Sequence, residues 1–197
     1  MVLFEGVEFV PFEIDKFKSD LSRTLMGFEV DFLQKMHPYF GLSECPQPIK
    51  IELSSGLSGF SKKEMKIQLC YSANEFVPNK CFDSLTFDSH ECAHETGHYA
   101  HYLANKSFME IKVERAWKIR SKKDRDIYLL RESVAELGAL AFFDISGRGF
   151  SQDILSRIQH PLMNAIYDFY CEKGKDYCLE TIKSLVGLSL NSIHQYF

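Results

Sequence analysis

The chain has 197 residues, 45% of them hydrophobic, and 23 Lys and Arg against 27 Asp and Glu give a formal net charge of −4. That is enough apolar material for one buried core and too little net charge for a disordered chain, and no stretch reaches the roughly 20 unbroken apolar residues of a membrane span. The opening residues mix Glu5, Glu8 and Glu13 with apolar side chains and show neither a basic leader nor a cleavage site, so the six cysteines, none in a C-x-x-C pair, are expected to be reduced thiols of a cytoplasmic protein.

The first element is a helix over residues 13–38, where Phe17, Leu21, Leu25, Phe28, Phe32 and Met36 recur at spacings of three and four and Pro38 closes the run. Two extended segments follow, 48–53 and 65–71, joined by the turn-rich 54–59; they alternate apolar and polar residues and predict part of a small sheet backed by the helix. From about residue 84 the chain reads as helical. Helices are expected over 88–104, 109–121 and 126–144, from Ser151 onward, and over 176–187. The fold class is α+β: a single domain over 1–197, with a sheet-bearing sub-lobe over about 1–104 and an all-helical one over 105–197.

Within the second of these helical regions, His90-Glu91-x-x-His94 overlaps His94-Glu95-x-x-His98. Residues four apart on a helix are one turn and about 40° apart, so two imidazoles at that spacing reach one ion, and a Glu just after the first stands beside the ion's open position. His90 and His98 lie about 12 Å apart along the axis and cannot share the ion. His94-Glu95-Thr96-Gly97-His98 is the favoured register. Asp88 and Glu91 resemble a capping box, which would leave His90 in a frayed first turn; Tyr99 and Ala100 suit a buried interior; Gly97 leaves room for a neighbouring element or a substrate backbone.

H-E-T-G-H followed by apolar residues resembles the zincin metallopeptidases. The metzincin continuation fails in both registers, since His101 and Ala104 occupy its Gly and His positions in one, and in the other Gly97 fits but Ala100 stands where the third ligand is needed. The gluzincin type takes a Glu from a later helix, and Arg131-Glu132-Ser-Val-Ala-Glu136 is similar to that pattern. The resemblance implies Zn2+ held by His94, His98 and Glu132, Glu136 as an outer acceptor for a ligand His, and a zincin-like fold in which strand 65–71 is the edge that aligns a peptide or protein substrate. It further implies a zinc-bound water with its pKa lowered toward about 7, and Glu95 as the base that takes that water's proton and passes it to the leaving amine. His160, Tyr167 and Tyr170 are candidate oxyanion donors. The resemblance covers about residues 85–144.

Other features read more plainly. Cys92 is expected to pack in the core, and His90 and His101 to be polar residues beside the cleft or near the helix end rather than ligands. Residues 112–125 hold seven Lys and Arg against two acids and include Trp117, leaving −9 for the rest of the chain; a solvated face is the plain reading, a nucleic-acid or acidic-partner surface the sharper one. The tail at 192–197, with His194, could fold back as a plug. Three functions therefore stand at this point: a zinc metallopeptidase, a regulatory peptidase with one protein substrate, and a non-catalytic zinc-stabilised binding module that uses 112–125, where neutralising Lys122, Lys123 and Arg125 would abolish binding.

Overall fold

The computed structural model describes residues 11–54, 58–70, 81–113, 119–148 and 161–189, with side chains from Asp20 in the first stretch and from Ser89 in the third. Trp117, His160, the segment from Ser151 and the 192–197 tail lie outside these residues. The described fold is α+β and mostly helical: α1 (Pro11–Met36), β1 (Lys50–Ser54), β2 (Gly59–Ser61), β3 (Lys66–Cys70), α2 (Cys81–Ala104), α3 (Lys106–Met109), α4 (Lys122–Ile145), α5 (Pro161–Lys173) and α6 (Lys175–Val186). Among the described residues no helix is long and apolar enough to cross a membrane.

The apolar stripe of α1 behaves as its spacing predicts. Leu21 and Leu25 pack with Ile51, Ile67, Leu69 and Cys92 beneath the sheet, and Phe32, Leu33 and Met36 enter the larger helical core. Phe32 meets Phe142 of α4 and Phe40 at ring separations of 5.3 and 6.1 Å. Cys92 is fully buried, as expected of a packing residue.

The sheet has the order β1-β3-β2, with β1 parallel to β3 and β2 antiparallel to it. β3 is therefore the central strand. The expectation that 65–71 is a free edge fails, because its two sides already pair Leu53 with Leu69 and Phe60 with Ile67. The edges are β1 and β2, and β2, with three residues, is too short to show an alternating pattern. Phe60 anchors it to α2 through Tyr99 and Tyr102, at ring separations of 5.5 and 5.7 Å.

Two helical expectations also change. α2 begins at Cys81, well before residue 88, so His90 is in an established helix and not a frayed turn. The capping-box form of Asp88 and Glu91 misled because Glu91 faces the sheet, where its Oε2 accepts from Ser58 Oγ at 2.6 Å. The helix expected over 109–121 is absent from the described part of that range: α3 is a single turn capped by Asn105, residues 110–113 and 119–120 are irregular, and α4 starts after Ser121, whose Oγ accepts from the Asp124 backbone N–H. Clustered Lys and Arg side chains offer such a stretch little apolar surface to bury.

α2 packs most extensively against α4. Gly97 allows it: a Cβ there would stand 2.9 Å from Ala135 Cα and 3.0 Å from its carbonyl oxygen. Of the two uses its sequence position suggested, close approach of another element is the one found. α5 and α6 cover α4 from the other side and supply Ile166, Cys178, Leu179 and Ile182 to the core.

Candidate metal centre and its cleft

The close approach at Gly97 places His94 and His98 of α2 opposite Glu132 of α4. His94 Nε2 is 3.3 Å from Glu132 Oε2 and His98 Nε2 is 3.6 Å from Glu132 Oε1, and the ligand atoms of all three residues lie within 4.8 Å of one another. Bonds of about 2.0–2.2 Å at tetrahedral angles separate donor atoms by about 3.3–3.5 Å, so the spacing suits a small divalent cation with two imidazoles and one carboxylate. The group can hold a metal ion.

Glu136, one turn beyond Glu132, stands behind the ligands. Its Oε2 accepts from His94 Nδ1 at 2.8 Å and its Oε1 pairs with His90 Nε2 at 3.0 Å. A proton held on Nδ1 leaves the His94 Nε2 lone pair directed toward Glu132 and His98, and Glu136 is not part of the group that could hold a metal ion. His90 is thus a buried partner of Glu136, not a bystander of the helix end.

The electrostatics are those of a site made for positive charge. Burial works against charge on His94, yet the Glu132 and Glu136 carboxylates outweigh it and hold the imidazole pKa well above its ordinary value. Burial would likewise raise both glutamates; His98 and His94 beside Glu132, and His90 and His94 beside Glu136, instead hold both below the usual carboxylate range. Two ionised carboxylates this deep need a cation, and a metal ion can replace the proton on His94.

His101, three residues beyond His98, is fully buried and stacks on Phe108 at 5.7 Å with neither ring nitrogen hydrogen-bonded. Burial, then His98 and Arg131, push its pKa down to about 3, so it stays neutral.

Glu95, His98 and Glu132 open into a cleft of about 320 Å³, within the range of small-molecule and peptide pockets. Ser58, the β2 residues Gly59 and Phe60, and Lys62, Met109 and Arg131 also line it. The sheet edge therefore runs along the candidate metal group, although the strand concerned is not the one the sequence suggests.

Neither proposed tyrosine reaches this cleft. Tyr170 donates its hydroxyl to Asp144 Oδ2 at 2.9 Å, about 18 Å along α4 from Glu132, and Tyr167 packs against the core from the same helix α5. Tyr128, one turn before Glu132 on α4, does not line the cleft either; burial and then the Glu132 charge push its hydroxyl up to about 12.

Comparison of the chain with protein-family models, with curated proteins and with solved structures finds no match. The chemistry of the cleft has to be argued from its own residues.

Proposed function

We propose that the protein is a zinc-dependent metallopeptidase of the gluzincin type. The observation that carries the reading is the grouping of His94, His98 and Glu132, with His98 and Glu132 lining the same cleft as Glu95 and the β2 residues Gly59 and Phe60. A group that served only to tie α2 to α4 would not require a carboxylate there. Glu95 is nearly buried, lines the cleft and has no hydrogen-bond partner among the described residues.

His94, His98 and Glu132 would hold the zinc, which supplies Lewis acidity that makes a water acidic near neutral pH and polarises a carbonyl. Glu95 accepts a proton from the water that adds to the scissile carbonyl carbon. It then delivers that proton to the amide nitrogen as the carbon–nitrogen bond breaks, so a carboxylic acid and an amine leave. The β2 backbone aligns the peptide as an added strand, and the Gly59 position keeps that approach open. Glu136 fixes the orientation of His94 throughout.

Glu95→Gln tests the reading. Zinc content is expected to remain at the wild-type value while cleavage of any responsive peptide falls by about 10²–10⁴-fold. Unchanged cleavage removes Glu95 from the reaction.

A further inference from the structure

Two cations reach the rim of the cleft from different elements. Lys62 follows β2 and donates from Nζ to the Met109 carbonyl; Arg131 precedes Glu132 on α4 and donates from Nη2 to the Phe108 and Ile111 carbonyls at 2.6 and 3.0 Å. Both therefore bind the end of the α3 turn. That duty leaves much of their donor capacity unused, since an ammonium has three N–H groups and a guanidinium five. Arg131 Nε is buried with no partner, and neither residue forms an ion pair with a carboxylate among the described residues.

Charge balance gives the arrangement a direction. Lys62 and Arg131 bring two positive charges to a cleft whose other charged lining residues are Glu95 and Glu132. The two cations are close enough that burial and then the Arg131 charge depress the Lys62 pKa, with Glu110 opposing. Glu110 and Glu132 act on the two cations without forming an ion pair with either, so an anion that reaches both would gain charge-assisted hydrogen bonds from each.

We propose that Lys62 and Arg131 form an anion subsite of this cleft that selects peptides carrying a carboxylate near the cleaved bond, as an acidic side chain or a free C-terminus. The subsite rests on the metallopeptidase reading, because it places the recognised group beside the reacting one. Lys62 supplies a point charge at the exposed rim. Arg131 supplies the planar fork deeper in, next to the ligand Glu132.

The test uses the zinc-loaded full chain and three probes titrated by NMR. N-acetylglutamic acid α-amide carries only a side-chain carboxylate, N-acetylglutamine only a terminal one, and N-acetylglutamine amide neither. Wild type is expected to bind one of the carboxylate probes about tenfold more tightly than the amide, and the probe that gains names the source. Lys62→Gln, an exposed position that leaves α3 capped by Arg131, is expected to remove most of that preference; Arg131→Lys should weaken it by keeping the charge without the fork. Three probes bound alike overturn the subsite. So does a preference that survives both substitutions, which would belong to the metal itself. Zinc content measured on the same samples separates the two ideas: wild type that holds no zinc overturns the metal centre, whereas wild type that holds zinc and ignores the carboxylate overturns the subsite alone.

Discussion

Glu136 accepts from both His90 and His94 while being fully buried, so its charge is committed to orientation. Glu136→Gln keeps the volume but loses the carboxylate that holds the proton on Nδ1. Zinc affinity measured against a competing chelator is expected to fall about 10–100-fold, with the fold retained; an unchanged affinity would remove Glu136 from the centre. A second buried acid lies outside the site. Glu29 of α1 accepts from the Ile49 backbone N–H at 2.8 Å through Oε1, leaves Oε2 unpartnered, and is pushed by burial up to about 7 from 4.5. The folded state thus holds a proton that the unfolded chain has already lost, so this contribution to stability is complete below pH 4.5 and disappears as pH rises through about 7. Glu29→Gln removes the titration. Denaturant unfolding should show the variant close to wild type at pH 5 and more stable by roughly 1–3 kcal/mol at pH 8; the same difference at both values would contradict the assignment. Nothing in the spacing of α1 marks Glu29, because its burial depends on where the sheet is laid across the helix.

At the scale of elements, the contact of α2 with α4 decides the site. Gly97→Ala drives a Cβ into the Ala135 backbone, which cannot rotate away as a flexible side chain would. The helices must part, at a cost of about 1–3 kcal/mol, and Glu132, one turn before Ala135, moves with them. Thermal unfolding and zinc titration are both expected to show the loss; a variant with wild-type stability would mean that the helices are less closely held. The long periodic elements were legible in the sequence: α1, α4 and α6 occur within a few residues of expectation, and the i, i+4 histidines together with the Glu132 and Glu136 pair name the metal group. What escaped was set by tertiary contact. β2 is too short to carry a pattern, the early start of α2 was hidden by an acid that serves the sheet, and Lys62 and Arg131 meet at the cleft only because β2 and α4 converge there.

The candidate group spans the two parts of the molecule, His94 and His98 belonging to the sheet-bearing part and Glu132 to the helical one, in addition to the shared core that already joins them. A metal bound there stabilises the folded chain by linkage, by about 2.7 kcal/mol at a hundredfold excess over the dissociation constant. Chelation should therefore lower Tm reversibly, and Glu132→Ala should abolish the difference between chelated and zinc-loaded protein. Of the basic stretch, Lys122 is exposed and lies 3.6 Å from the buried Asp126 on the first turn of α4. The most direct measurement is the metal content of the chain purified without chelator, wild type beside Glu132→Ala. One zinc per wild-type chain, lost from the variant while it remains folded, is the predicted result; wild type without zinc, or a variant that keeps it in full, would contradict the metal centre on which the proposed peptidase rests.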